Sequence, residues 1–436
     1  MSFFVTMATR NLLQGGRRFV LLAITFVTLS FFIVLSTSLF NGAYQRMIDI
    51  GCAVHGGHVV LGGLSWIDGQ WTELVKDLES TRAIVEKWGR ASVIAPRDAN
   101  EARALGPNGS KSIFLLGVVP SEDPLLLDAI VDGLPGNPGV ESVREMLTSP
   151  DTAVIFDATA RDIGVKVGDV VTLIAMTPRG VMNTVEVVVD AIPKGNAATS
   201  GVVITNIEVT RRLYQIPPGG VTRIYIYLDS PHAAIDGQRS LRDLLEKNGA
   251  QLGPLRSEAI WTQLNWAKRG SGKGQVFYTC TWKDMLRSLL QIQGAIENLS
   301  VAIFALLCLI VGIGTFNIMS VVVRQRVHEI GTLRALGLSR SGVATLLAAE
   351  ALLLGALSSM VGGALAWLAA AVLNLARINV DSQAFADIFF SNVLHFNCDW
   401  STLGVVILLV TCVTVVSVLW PAIRAAALDP AKAVRL

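Results

Sequence analysis

Gly270-Ser-Gly-Lys-Gly274 and Gly109-Ser-Lys-Ser112 are the stretches of this 436-residue chain that come nearest to cradling a phosphate. A loop of the G-x-x-x-x-G-K-[ST] kind curls backbone N–H groups around the anion, sets a lysine on its outer oxygens and offers a hydroxyl to magnesium. Lys273 is followed by Gly274 and Lys111 is preceded by Ser110, so neither stretch supplies that set. Both read as solvated loops. The five histidines, His55, His58, His232, His328 and His395, lie at no HExxH or comparable metal spacing. His55 and His58 stand close enough to share a ligand, but a glycine-rich turn accounts for that segment equally well. The five cysteines form no CxxC pair and no cluster with histidine. No catalytic residue, metal ligand or bound cofactor is expected in this chain.

Two polar residues stand inside otherwise apolar runs, Asn317 and Glu350. An acid at membrane depth is costly, so it marks either a pairing that satisfies it or a step in transport. Glu350 lies a short way into its run, within reach of the interface or of an arginine in the loop before it, and both readings stay open. That loop has a texture of its own. Val327, Ile330, Leu333 and Leu336 recur every three residues, with Glu329 near the start and Arg334 near the end. Those charges complement a helix dipole, and Gly337 supplies the C-terminal stop. A plain turn would join two membrane passes. A short helix with an apolar stripe, fixed at both ends, transmits a push; the same pattern also suits a helix resting on the headgroups.

The elements around these residues explain why a push would matter. The chain is 52% hydrophobic and 16% charged, with a mean hydropathy of +0.52. Four apolar runs carry the excess, at 19–40, 299–323, 343–375 and 403–423. Each is long enough for about 30 Å of hydrocarbon as a helix. The third carries Gly355, Gly362 and Gly363, small residues of the kind that let membrane helices approach closely. The first run is too long for the apolar part of a signal peptide and reads as an uncleaved anchor. Arg10, Arg17 and Arg18 precede it, Arg324, Arg326, Arg334 and Arg340 fill 324–342, and Arg424, Lys432 and Arg435 lie in 424–436. The positive-inside rule therefore places the interfacial segment 1–18, the loop 324–342 and the tail 424–436 in the cytoplasm. The long segment 41–298 and the loop 376–402 fall outside it. A net charge of +2 carries no nucleic-acid signature.

Within 41–298, Val59-Val60-Leu61, Ser112–Val119 and Val221–Leu228 read as strands, and Thr72–Trp88 and Ala233–Asn248 as amphipathic helices. Roughly 120–220 reads as a mostly β insertion, with strands at Ala153–Phe156, Val170–Ile174 and Thr184–Val189 between turn signals. From Thr281 to about 298, apolar residues at helical spacing predict a helix running straight into the second membrane pass. With Tyr44, Met47 and Ile48 after the first pass this makes either a two-helix stalk or two separate surface helices. A disulfide between Cys52 and Cys280 stays open in an oxidising compartment. The fold class is thus an α-helical membrane protein with four transmembrane helices and a large α+β extracytoplasmic domain between the first and second.

Phe316-Asn-Ile-Met-Ser320, followed by Arg324-Gln-Arg-Val-His-Glu-Ile-Gly-Thr-Leu-Arg-Ala-Leu-Gly337, resembles the FtsX-like permease domain of MacB-type (type VII) ABC transporters. Pro421-Ala-Ile-Arg-Ala-Ala-Ala-Leu-Asp-Pro-Ala-Lys-Ala-Val-Arg435 is similar to that domain's closing motif. Ala8-Thr-Arg-Asn-Leu12 resembles the family's opening box, and Leu116-Gly-Val-Val-Pro120 a turn of its periplasmic domain. Phe316-Asn317-Ile318 and Thr281-Trp282 are closer to the LolC/LolE branch, permeases that release lipoproteins from the inner membrane. The resemblance implies a porter-like domain carrying an inserted β-rich part, and dimerisation with a second copy or a paralogue. It implies that Val327–Gly337 is the coupling helix, docked on an ABC ATPase in a partner chain that binds ATP and magnesium. A lipoprotein, its periplasmic carrier and membrane lipids are the further partners implied. MacB-like efflux of peptides or amphiphiles with an adaptor, and FtsX-like signalling to an outer enzyme, are the alternatives.

Overall fold

Apolar side chains sort the chain into two units in the computed structural model, which describes residues 6–10, 16–136, 138–255, 274–380 and 382–427. A helical unit takes the chain up to Gln45, Ile292–Val380 and the chain from Val393 on; a sheet unit takes Arg46–Gln291 and Asp381–Asn392.

Ten strands form the sheet unit: β1 Val59–Ile67, β2 Gln70–Glu73, β3 Val93–Gly106, β4 Gly109–Val118, β5 Thr152–Ile155, β6 Val170–Met176, β7 Met182–Ala191, β8 Val202–Asn206, β9 Arg223–Tyr227 and β10 Gln275–Thr281. Their order is β10-β1-β9-β3-β4-β8-β5-β7-β6, with β2 on β1 and β6 returning to β3. The long strand β3 makes this possible. Val93–Arg97 pair with β9, whereas Arg103–Leu105 pair with β6. Strands β3, β4, β8, β5, β7 and β6 thereby close on themselves, which removes the open edges that invite aggregation.

Several expectations change. The predicted helix over Thr72–Trp88 starts only at Leu78, where the Asp77 carboxylate accepts from the Ser80 N–H at 3.0 Å. Residues before it form β2, folded back on β1 by Asp68 and Gly69, both at positive φ. Asp-Gly is a strong hairpin signal, and it outweighed the helical spacing. The stretch 120–220 is mixed rather than mostly β, with helices Pro124–Gly133, Val140–Thr148, Asp157–Ile163 and Ile207–Tyr214 among its strands. Gly109–Ser112 is no loop but the start of β4, paired with β3, while 270–273 lie outside the described residues. The helix expected from Thr281 makes one turn, Trp282–Met285, and breaks at the buried Leu286 before restarting at Arg287. Cys52 and Cys280 are buried and not bridged to each other. Burial pushes the Cys280 thiol up to about 12, which leaves it inert.

The buried charged residues Arg97, Asp98 and Asp123 of the sheet unit are densely hydrogen-bonded. Arg97 makes a forked pair with Asp123 at 2.5 and 2.8 Å and donates to the Val54 carbonyl at 3.2 Å. Its guanidinium also lies 4.3 Å from the Tyr225 ring centroid. Val54 belongs to a π-helical turn, Cys52–Gly56, whose Cys52 carbonyl accepts from the Tyr227 hydroxyl at 3.1 Å. On the neighbouring residue, Asp98 accepts from the Thr222 N–H at 3.1 Å, and Thr210 Oγ1 stands 2.9 Å from its other oxygen. That Thr210 hydroxyl is also 2.7 Å from the Ile207 carbonyl. A single hydroxyl proton serves one acceptor, so a proton on Asp98 completes the set. Burial raises the Asp98 carboxyl to about 7, in line with that geometry.

Four helices in the described residues are long and apolar enough to cross a membrane: Gly16–Gly51, Arg287–Gln325, Arg340–Ala376 and Trp400–Ala426. The third packs closely on its neighbours, and its glycines show how. A Cβ on Gly362 would sit 2.3 Å from the Val27 carbonyl of the first helix; on Gly355 it would meet Thr414 of the fourth at 2.8 Å. Asn374, which interrupts the third run, donates to the Phe396 carbonyl and accepts from its N–H, closing the chain after the helix. The second helix instead points Leu299, Val301, Leu306, Leu309, Ile310 and Ile313 outward, each about half exposed or more. Between the third and fourth helices, the short helix Gln383–Phe389 leads to Phe390, which is buried in the sheet unit's core.

Two outcomes follow. Asp98 keeps in the folded state a proton that the unfolded chain loses near pH 4, so between about pH 4 and 7 its contribution falls as pH rises, by up to ~1.4 kcal/mol per unit. Asp98→Asn reproduces the protonated acid's hydrogen bonds, so the thermal melting of its β-structure is expected to change less with pH over that window than the wild type's. Gly362→Leu forces a side chain against the Val27 backbone. It is expected to destabilise the detergent-solubilised chain by about 1–3 kcal/mol, read as a lowered midpoint of helix melting; Gly404→Leu, where nothing stands in the way, should not.

Candidate functional site at the second-to-third helix junction

The second long helix ends at Gln325, and after the single residue Arg326 a short helix runs over Val327–Ala335. The Arg326 N–H still bonds to the Val322 and Val323 carbonyls at 3.1 and 3.2 Å, while its own carbonyl accepts from the Ile330 N–H at 2.9 Å. The backbone of Arg326 is thus bonded into both helices. Arg326 also carries the chemistry of the junction: Nε donates to Glu329 at 2.9 Å and Nη1 to Glu350 at 2.9 Å. Glu350 has no exposed side-chain surface and Arg326 keeps 21%. Of the two readings left open for this acid, the arrangement is pairing with an arginine of the preceding loop. An unpaired carboxylate at that depth would be costly, and the forked guanidinium compensates it while holding the short helix through Glu329.

The far end of the short helix is closed as tightly. The Gly337 N–H bonds to the Arg334 carbonyl and the Leu338 N–H to the Leu333 carbonyl, both at 3.1 Å. This is the Schellman pattern, and Gly337 takes the positive φ of 99° that it requires. Ser339 then caps the third long helix, accepting from the Gly342 N–H at 3.1 Å.

The predicted apolar stripe holds for three of its four members. Ile330 is buried and Val327 and Leu333 are half-buried, but Leu336 is 86% exposed. Leu336 caps the helix, and the reversal at Gly337 sends Leu338 to the helical unit's core in its place. Arg334 is half-buried. The outward surface consists of His328, Glu329, Thr332, Ala335 and Leu336: one large apolar side chain among polar ones. Asn317 is exposed on the second helix, about 13 Å along its axis from Arg326, and the junction does not include it. Sequence reasoning missed Arg326 as the pivot. The signal was present, an arginine next to the helix break and an acid inside the next apolar run.

His55 and His58 are held separately and do not face one shared ligand. His55 is half-buried with Nε2 2.6 Å from the Ala198 carbonyl, and His58 Nδ1 accepts from the Leu228 N–H at 2.9 Å. Each has its own backbone partner, and burial lowers both below the usual imidazole range. Among the described residues no group of His, Cys, Asp and Glu is arranged to hold a metal ion. Asn11 and Leu12 of the opening box and 428–436 of the closing motif lie outside the described residues.

The chain is similar to several known proteins. The MacB macrolide export ATP-binding/permease protein of Bordetella avium is 28% identical over 244 residues, covering 55% of this chain and 34% of that protein. The chain thus spans about a third of the length of the MacB relatives it matches. The lipoprotein-releasing system transmembrane protein LolC of Neisseria meningitidis serogroup B is 22% identical over 397 residues, covering 87% of this chain and 84% of that one. The periplasmic region of MacB from Actinobacillus actinomycetemcomitans aligns at 12% identity with a TM-score of 0.31, covering 56% of this chain and 94% of that structure. Residues 301–430, which include the whole Arg326–Glu350 junction, match the model of the FtsX-like permease C-terminal family, and with it the chain is related to the MacB and LolC permeases.

Proposed function

We propose that this chain is the permease subunit of a MacB/LolC-type ABC transporter and that Val327–Gly337 is the lever an ATPase grips. The observation that carries the reading is the junction: a short helix hydrogen-bonded at both ends, tied by Arg326 to the buried Glu350, with Leu336 left uncovered. A flexible turn would dissipate a push. This one moves only with the second and third helices.

In this reading the chain lies in the inner membrane with both termini and the junction in the cytoplasm, and the sheet unit acts outside. The basic residues around the junction and the exposed apolar faces of the helices support that orientation. The motor is a separate ABC ATPase that supplies ATP and magnesium, and the functional assembly pairs this permease with a second copy or a paralogue. The cargo is an amphiphile such as a lipoprotein, released to a periplasmic carrier; the LolC likeness, which runs along most of both chains, favours it. The MacB likeness supports a second reading, efflux of a peptide or amphiphile through an adaptor.

Leu336→Asp is expected to lower retention of the ATPase in affinity purification by about ten-fold, the scale of an anchor residue in an interface, while leaving the permease folded. A wild-type chain that retains no ATPase would overturn the reading. Glu350→Gln is expected to destabilise the chain by about 3 kcal/mol, because Arg326 loses its buried counter-charge, and to keep ATPase binding while weakening release of cargo. Photocrosslinkers within 121–255 separate the cargo readings: lipoprotein adducts support release, adaptor adducts support efflux, and adducts to a cell-wall hydrolase indicate FtsX-like signalling instead.

A further inference from the structure

The ends of the second and fourth long helices enclose a pocket of about 380 Å³ that takes no part in the junction's ion pairs. Ser320, Val323 and Arg324 line it from the second helix, Trp420, Pro421 and Arg424 from the fourth, and Val327 from the start of the short helix. Its volume falls within the roughly 300–1,000 Å³ usual for small-molecule sites. Arg424 lies 5.0 Å from the Trp420 ring centroid, and that ring packs on Phe316 with centroids 5.4 Å apart. Neither Arg324 nor Arg424 has a carboxylate partner among the described residues. The acids of the junction, Glu329 and Glu350, are both engaged by Arg326. The two guanidinium groups are exposed, so they meet whatever fills the pocket uncompensated.

Two features say what that is. Val416, Leu419 and Ile423 on the fourth helix, and Ile313 and Val321 on the second, are exposed and lead to the pocket along apolar helix faces. Trp420 is 55% exposed at the point where those faces give way to charge, the position aromatic residues take at a membrane interface. The ligand therefore has an anionic head and apolar tails. A phosphodiester suits paired arginines, and a headgroup with its own ammonium would bring a third cation against them. We propose that this pocket binds the headgroup of an anionic phospholipid, with its acyl chains on the faces of the second and fourth helices. The inference needs these helices to lie in a bilayer but does not depend on the ATPase or the cargo.

Native mass spectrometry of the full chain, released from mixed micelles of dioleoyl phosphatidylglycerol and dioleoyl phosphatidylcholine, tests it. The wild type is expected to retain phosphatidylglycerol about ten-fold or more over phosphatidylcholine, from roughly 1 kcal/mol per arginine near the headgroup. Arg324→Gln with Arg424→Gln should bring that ratio close to one. Arg324→Lys with Arg424→Lys should keep part of it, and this pair serves if the glutamine variant does not fold. Equal retention of the two lipids by the wild type, or an undiminished preference in the glutamine variant, would overturn the proposal. So would displacement of phosphatidylglycerol by millimolar inorganic phosphate but not by sodium chloride at matched ionic strength, which would mark a site for free phosphate.

Discussion

The contact between Arg326 and Glu350 is the constraint around which the helical unit is arranged. One member sits at the single residue between two helices, and the other is fully buried on a third. Ion pairs on a protein surface add little, because water competes for both partners. Here the carboxylate has no water to fall back on, so the pair separates only at the cost of leaving a buried charge. Arg326 also holds Glu329, and so a single guanidinium fixes the angle at which the short helix leaves the second long helix. Neither helix can rotate at that point without the third feeling it.

Close packing reinforces the same logic. Gly355 and Gly362 let the third helix lie against the fourth and the first with backbone-scale separations, which is how helices associate where no hydrophobic force drives them together. The sheet unit uses a comparable device. Arg97 and Asp123 are both essentially unexposed, and their network reaches backbone carbonyls of the π-helical turn rather than other side chains alone. In each unit an arginine paired with a buried carboxylate fixes the geometry of a helix end.

Much of this was readable in the residues, and the failures have definite causes. The four apolar runs, the helix from Val327, the stop at Gly337 and the small-residue contacts follow from composition, spacing and the special conformations of glycine. Leu336 broke the stripe because periodicity assumes the helix continues, and it does not. The helix expected over Thr72–Trp88 starts late because its apolar spacing conceals the Asp68-Gly69 hairpin. Strand β3 carries no clear strand signature. Its Pro96, Arg97 and Asp98 look like turn chemistry, yet they are buried and bonded within the sheet. No local pattern reveals that one strand divides its length between two sets of neighbours. Arg326 and Glu350 lie 24 positions apart, and only tertiary geometry shows that they meet.

The register of β1 bears on how the molecule is made. Val59–Ser65 pair on one side with residues 275–281 and, through Val59–Gly62, on the other with 223–226. A strand made early must therefore wait for partners synthesised more than a hundred and fifty residues later. Closure over such a separation is slow, and a chain delivered N-terminus first would present unfinished β surface throughout that interval. The second long helix begins at Arg287, only a few residues after the last of those partners. The final strand of the sheet and the next long helix are therefore synthesised almost together, so β1 gains its last partner only as that helix begins.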